Sequence, residues 1–501
     1  MKITILALLM LSSLLLISYS TECRAYVRTS LNAATQTNVI YVPANYSTIQ
    51  EAVNHAAPGD QIFVQAGTYL ENVAINKSIS LVGENRELTI INGTKTGAVI
   101  NITTSNVNVT GFTIGKSGLG TPPDSGIFIE YSNNVTISNN RIVKDYNGIT
   151  ILFCSGIVIS DNDISTNGYD GISVYSSVNV MISNNVIFSN FYNGISFYSS
   201  GHNIVSGNTI SGSYYGIRFT LSSDNTIYHN NFGNRYQVSS DSTNIWDSGN
   251  EGNYWSSYTG QDLNGDGIGD LPYSIDENSQ DHYPLVGSFS DFSITLNAEY
   301  HVTVICNSIV SNFRFKTGEE TGNRIVSFNA TGEEGTVGFC RIKIPTALMN
   351  YPFVVLVGNE EIIPTLLGAS SAEYSHLYFT YLHSSQTVSV ISSKVLALCL
   401  QLSDSYISLQ TELHSLNRTY YELLSKYDTL LENNTLLQEI YRELSMSYQE
   451  HLVNYSENVQ NIQNLMYIFA ATTAVFLITT VYLSKRAHAS TATKAKLIEE
   501  K

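Results

Sequence analysis

Between residues 126 and 231 apolar and polar positions alternate in short bursts, and the bursts themselves recur. Written from successive glycines, residues 126–147 read GIFIEYSNNVTISNNRIVKDYN, 148–170 read GITILFCSGIVISDNDISTNGYD, 171–193 read GISVYSSVNVMISNNVIFSNFYN and 194–215 read GISFYSSGHNIVSGNTISGSYY. The period is 22 or 23 residues, and each unit carries two short alternating runs separated by Gly, Asn and Ser. Alternation sets Ile172 and Val174 on one face and Ser173 and Tyr175 on the other, which is strand and not helix periodicity. A unit this short cannot bury its own apolar face, so it must stack on its neighbours. The pattern predicts a right-handed parallel β-helix over 40–231, with one repeat per coil and about 4.8 Å between coils. Like residues then stand in columns. Asn140, Asn162, Asn185, Asn208 and Asn231 are expected to line one turn and hydrogen-bond from coil to coil. Upstream, Ile49, Val53 and Ala56 share one helical face and Ser47 with Gln50 has capping-box character, so a short helix is expected to cap the open end.

The period then changes twice. Stretches such as EYHVTVICNSIVSNFRF, VGFCRIKIP and LYFTYLHSSQTVSVIS predict an Ig-like β-sandwich over 289–393, with Cys306 and Cys340 placed to bridge its sheets in a disulfide. From Leu402 to Tyr448, leucines and tyrosines alternate by four and three, with Asn434 in the same seam. That 3.5-residue spacing predicts an α-helical coiled-coil stalk over 398–465 and a homo-oligomer held by it; a lone amphipathic helix is the alternative. Residues 466–483 are uncharged and long enough to form one transmembrane helix. Lys485, Arg486, Lys494 and Lys496 follow, so the tail 484–501 is expected to be cytoplasmic. At the other end Met1 and Lys2 precede an apolar run ending in small residues, read as a signal peptide over 1–25. The N-terminal region is thus expected outside a single-pass membrane anchor. Asn-x-Ser/Thr sequons recur from Asn45 to Asn454, in keeping with a glycosylated exterior.

Composition narrows the partners. Only 13% of residues are charged, yet the net charge is −17, which disfavours nucleic acid and suits cations. In the closing segment 232–288, DLNGDGIGD places Asp262, Asn264, Asp266, the Ile268 carbonyl and Asp270 at EF-hand-like positions, although Tyr273 stands where a bidentate glutamate would be. The expectation is a structural calcium ion without an EF-hand. Asp161 and Asp163, near Arg141 on the preceding coil, with Asp145 and Asp170 in adjoining loops, form the acidic cluster of the clear coils and the weak candidates for catalysis. Turn aspartates are ordinarily solvated turn chemistry, so the enzyme reading stands second. Tyr146, Tyr169, Tyr192 and Tyr214 recur in phase, and Tyr175 and Tyr198 form a second column. Such columns either stack on sugar rings or stack on one another.

The opening STIQEAVNHAAPGDQIFVQAGTYLENVAINKSISLVGE and the NGIS…SNN coils resemble the pectin-lyase-like β-helix proteins, specifically the NosD-type repeat family, over about residues 40–290. The segment GNYWSSYTGQDLNGDGIGDLPYSIDENSQDHYPL is similar to the one closing many archaeal, surface-anchored members. The resemblance implies a β-helix, a periplasmic copper-binding description and a carbohydrate-binding or sugar-hydrolysing association. Copper fits poorly, because His202, His229 and Met181 lie on different coils without a common phase. The expected function is adhesion to, or organisation of, an extracellular glycan or cell envelope. The alternatives are a surface-tethered polysaccharide lyase or glycoside hydrolase, a NosD-like copper-binding protein and an inert spacer.

Overall fold

The computed structural model describes residues 38–498 apart from 121–122, 320 and 433–437. The expected signal peptide and Asn434 lie outside the described residues. From Val39 to Trp255 the chain winds through three parallel sheets of nine, eight and nine strands, and each strand pairs with its counterpart one coil away. Ile127, Ile149, Ile172, Ile195, Ile217 and Val238 are successive partners in one sheet. This is the expected β-solenoid, with one difference. Each coil holds three strands, for example Ser125–Glu130, Val135–Ser138 and Arg141–Val143. The third is three residues long, too short for its alternation to stand out in the sequence.

The recurring glycine has a packing cause. A Cβ on Gly148 would stand 2.5 Å from the carbonyl oxygen of Gly171 and 2.6 Å from Ile164 Cγ2, so the next coil leaves no room for a side chain. The recurring Asn-Asn pairs have a conformational one. The residue before each inward asparagine is left-handed: Asn139 (φ 54°), Asp161 (58°), Asn184 (55°), Gly207 (70°) and His229 (57°). Asn, Asp and Gly adopt that conformation at least cost. The residue after it turns into the coil and joins the ladder. Asn140, Asn162, Asn185 and Asn208 are buried, and each backbone N–H donates to the next coil's side-chain oxygen at 2.9–3.0 Å. The expected next member, Asn231, is not in it. The step from Asn208 is 22 residues, so the ladder passes through Asn230 and Asn253 and ends on the Asp281 carboxylate. Asn231 instead pairs its amide with the backbone of Phe289, donating at 2.8 Å and accepting at 2.7 Å.

Both ends of the bore are closed. Helix α1 (Ile49–His55) buries Ile49, Ala52 and Val53 over the first coils. Its cap is Thr48 rather than the expected Ser47, with the Glu51 N–H donating to Thr48 Oγ1 at 3.1 Å and Ser47 holding the Glu51 carboxylate. At the far end Phe197, Phe219, Phe232, Trp246 and Trp255, all nearly inaccessible, stack into an aromatic plug.

Two five-stranded antiparallel sheets follow, from Ser288 to Ser392, around a core that includes Val304, Phe328, Ile342, Val355 and Val388. The solenoid and these sheets form one compact unit. Leu285, Phe289, Ile305 and Phe339 make a small core at the joint. Beside it Arg341 donates to Glu251 at 2.7 Å, and Glu251 also holds His229 at 2.8 Å. Cys306 and Cys340 do not bridge the sheets. They face each other on adjacent strands of one sheet, because both fall in the register of strands Glu299–Cys306 and Val337–Pro345.

The second unit is mainly helical, with α2 (Lys394–Glu432) and α3 (Gln438–Ile498). Tyr420 on α2 stacks on Tyr455 of α3 at 5.6 Å and meets the Tyr448 hydroxyl at 3.0 Å, while Tyr455 donates to Asn417. Seam residues Tyr420 and Tyr448 therefore meet within one chain, whereas the seam was expected to meet a second copy. Within α3, Leu444–Leu483 contains one segment apolar enough to cross a membrane, with a mean hydropathy of 1.8 and none of it buried.

Candidate ligand face and acidic loop

The face of the eight-stranded sheet away from the bore carries Thr150 and Ser173, both buried, with Ser196 and Arg218 in one register column, and Leu152, Tyr175, Tyr198 and Thr220 in the next. The loop leading into each strand supplies Tyr146, Tyr169, Tyr192 and Tyr214. Coil stacking brings their rings face to face, with centroids 5.5, 5.2 and 6.0 Å apart and planes within 25°. Tyr175 and Tyr198 are tilted, at 6.3 Å. The sequence-predicted tyrosines are thus brought together, but ring faces in the first column cover one another. Outward they offer edges and hydroxyls, with Tyr198 and Tyr214 the most open at 47% and 37% exposure. Arg218 lies over Tyr192 and Tyr215, its Nη1 donating to the Tyr192 hydroxyl at 3.0 Å, and Arg235 lies over Tyr214 and Tyr236. Burial pushes the Tyr169 phenol up, and nearby Asp170 adds to it.

One feature of this side was missed in the sequence. Tyr131 and Phe153 stack at 5.2 Å on the surface, 68% and 49% exposed, although both are left-handed. Large side chains rarely accept that strain, and only the coil register, compared position by position, reveals it.

The acidic cluster is dispersed. Asp161 is exposed and occupies a left-handed corner, which explains an aspartate there without chemistry. Asp163 pairs in register with Arg141, but the Arg141 guanidinium reaches Glu87 at 3.3 Å. Asp145 and Asp170 are buried at 1% exposure within the ladders. Asp145 occupies the same column as Asn167 and Asn190, and Asp170 lies between Asn147 and Asn193. Burial pushes Asp145 well above the usual carboxylate range, and raises Asp170 despite donors from Ser196, Ser173 and Asn193. Both carboxyls accept hydrogen bonds from neighbouring coils as the asparagines of their columns do, so both read as structural.

In the acidic loop the oxygens turn inward onto backbone. Asp262 accepts from the N–H groups of Gly265, Asp266 and Gly267, Asn264 from that of Asp266, Asp266 from Ile268 and Asp270 from Leu263, all at 2.8–3.1 Å. Gly265 and Gly267 are left-handed and lie against Tyr378 and Arg341 of the antiparallel sheets. Among the described residues no three His, Cys, Asp or Glu side chains converge as a metal site. Of the residues weighed for copper, His229 is held by Glu251 and stacked on Phe289, His202 occupies a left-handed turn and Met181 is exposed.

Residues 53–260 match the family model described as "Periplasmic copper-binding protein (NosD)". No curated protein matches. Similar solved structures include the Dettilon tailspike protein gp208, at 13% identity over 71% of this chain and 94% of that one, TM-score 0.31. Polygalacturonase from Erwinia carotovora matches at 16% identity over 44% and 76%, TM-score 0.32. Alginate lyase from a Paenibacillus species matches at 14% over 44% and 98%, TM-score 0.25. Scores and identities this low carry nothing about chemistry.

Proposed function

We propose that this chain, whose solenoid matches the NosD family, is a membrane-anchored surface protein that adheres to, or organises, an extracellular glycan or envelope polymer. The observation that supports the reading is the ladder of tyrosines at coil spacing, flanked by Arg218 and Arg235. Hydroxyl-bearing ring edges repeated along a rigid rod suit a polymer with its own repeat, through stacking at the open rings and hydrogen bonds elsewhere. The apolar segment of α3 serves as the anchor in this reading, with the basic tail inside and the solenoid outside. The 262–270 loop is assigned a structural calcium on its residue types, and the seam leucines left exposed on α2, Leu402, Leu409, Leu416 and Leu423, are assigned to a second copy. The test is a glycan array probed with the wild type and a Tyr169→Ala, Tyr192→Ala double variant. Loss of binding signals in the variant is expected; identical profiles remove the binding role from this face.

A further inference from the structure

Cys306 and Cys340 are wholly buried free thiols, and their sulfurs lie 2.9 Å apart. They are direct cross-strand partners. Opposed residues of an antiparallel pair have Cα atoms about 4.5–5.5 Å apart, within the span that a disulfide bridges. A polar chain closes over them. The Tyr381 hydroxyl lies 3.3 Å from Cys306 Sγ and 3.6 Å from Cys340 Sγ. That hydroxyl also meets Ser308 Oγ at 2.7 Å, Ser308 meets His383 Nε2 at 2.7 Å, and His383 Nδ1 meets Thr336 at 2.6 Å. Ser308 and His383 are themselves buried, and Thr336 stands at the surface.

We propose that Cys306 and Cys340 close a cross-strand disulfide as this domain folds, and that the Tyr381–Ser308–His383 chain then seals it from solvent thiols. The inference rests on the outward orientation given above, since disulfides persist in oxidising compartments. The step is an exchange. Two thiols react with the disulfide of a thiol oxidant, Cys306–SH + Cys340–SH + RSSR giving Cys306–S–S–Cys340 + 2 RSH, so the pair loses two electrons and its two protons leave on the oxidant's sulfurs. Because neither sulfur is accessible in the finished sheet, exchange belongs to folding, before strand Tyr374–Leu382 covers the pair.

The experiment uses full-length protein extracted from membranes of a secreting host in the presence of N-ethylmaleimide, then unfolded, relabelled and digested for mass spectrometry. The expected result is a linked Cys306–Cys340 peptide two hydrogens lighter than the sum of its parts, with Cys154 and Cys399 labelled. Both Cys306 and Cys340 labelled without reductant overturns the bond. A companion sample is treated with dithiothreitol while folded, and Cys306 and Cys340 are expected to stay unlabelled until urea is added. Labelling in the folded state overturns the seal. Protease shaving of intact cells separates the premises: a solenoid that is cleaved from outside while its thiols are free refutes the disulfide, whereas one protected from protease refutes the orientation. A Cys340→Ser variant is expected to leave Cys306 labelled on unfolding, which ties the linked peptide to this pair.

Discussion

Replacing Asn185 by Ala is expected to loosen the solenoid locally and severely. Asn185 Oδ1 accepts from the Asn162 backbone and amide N–H groups at 3.0 Å each, and its Nδ2 donates to the Ile159 carbonyl at 2.8 Å, to Ser183 at 3.0 Å and to Asn208 at 2.9 Å. Truncation strands two fully buried donors, the Asn162 backbone N–H and one Asn162 amide N–H, and takes from the Ile159 carbonyl the second of its donors. At about 1–3 kcal/mol for each unsatisfied group, the loss is at least about 2 kcal/mol. Coils contact only their neighbours, so unfolding need not be two-state and a single midpoint is a poor readout. Hydrogen exchange on the full chain in detergent is the suitable assay. Amides of residues 158–211 are expected to exchange at least about thirtyfold faster, while those of residues 73–102 keep their protection. An exposed control, Ser223→Ala, is expected to shift neither by more than about 0.5 kcal/mol. If Asn185→Ala left protection within that margin, or loosened every coil equally, the ladder would not be what joins one coil to the next.

Gly171→Ala places a methyl group 2.6 Å from the Gly194 carbonyl oxygen and 2.8 Å from Asn190 Nδ2, so a loss of about 1–3 kcal/mol is expected in thermal melts; an unchanged melt argues against coil contact as the reason for glycine. The joint is expected to weaken in acid. Despite burial, His229 and Arg341 hold Glu251 at about 2 against an ordinary 4.5, which adds stability fully present above pH 4.5 and lost as pH falls towards 2, some 3 kcal/mol over 2.5 units. Burial and the nearby Arg341 depress His376 to about 4 from 6.5, so its protonation also erodes stability as pH falls from 6.5 to 4. Glu251→Gln should abolish the lower slope in pH-dependent urea melts; a slope that survives places the acid sensitivity elsewhere. Calcium at a hundredfold excess over its dissociation constant should raise stability of the solenoid–sheet unit by about 2.7 kcal/mol, and Asp262→Ala with Asp266→Ala should remove the gain; no shift in melting with calcium removes the ion from the loop.

Much of the fold was readable because stacking converts a chain period into a spatial column. Ile172 and Val174 announced their face, and the glycine spacing set the coil length. The same arithmetic misplaced Asn231, because one 22-residue step shifts the count and nothing local distinguishes Asn230 from its neighbour until the backbone places one inside. The cysteines were found but assigned across sheets, since strand order within an antiparallel sheet is set by pairing partners far apart in the chain. The heptad seam was visible, but a 3.5-residue repeat does not say whether its partner is another chain or the next helix. The candidate site divided along the same line. Tyrosine columns followed from periodicity, whereas burial of Asp145 and Asp170 depended on which turn residues face the bore.

The interchangeable coil surfaces bear on how such a chain changes over generations. Excising residues 171–193 would join Asp170 to Gly194, and the asparagine, serine and glycine columns would meet again with the same chemistry on both sides of the splice. A single-residue deletion inside a coil has no such remedy, since it turns the inward set outward. Gain or loss of whole rungs by unequal recombination is therefore the tolerated path, and the head can lengthen or shorten in fixed steps while its two plugs stay in place.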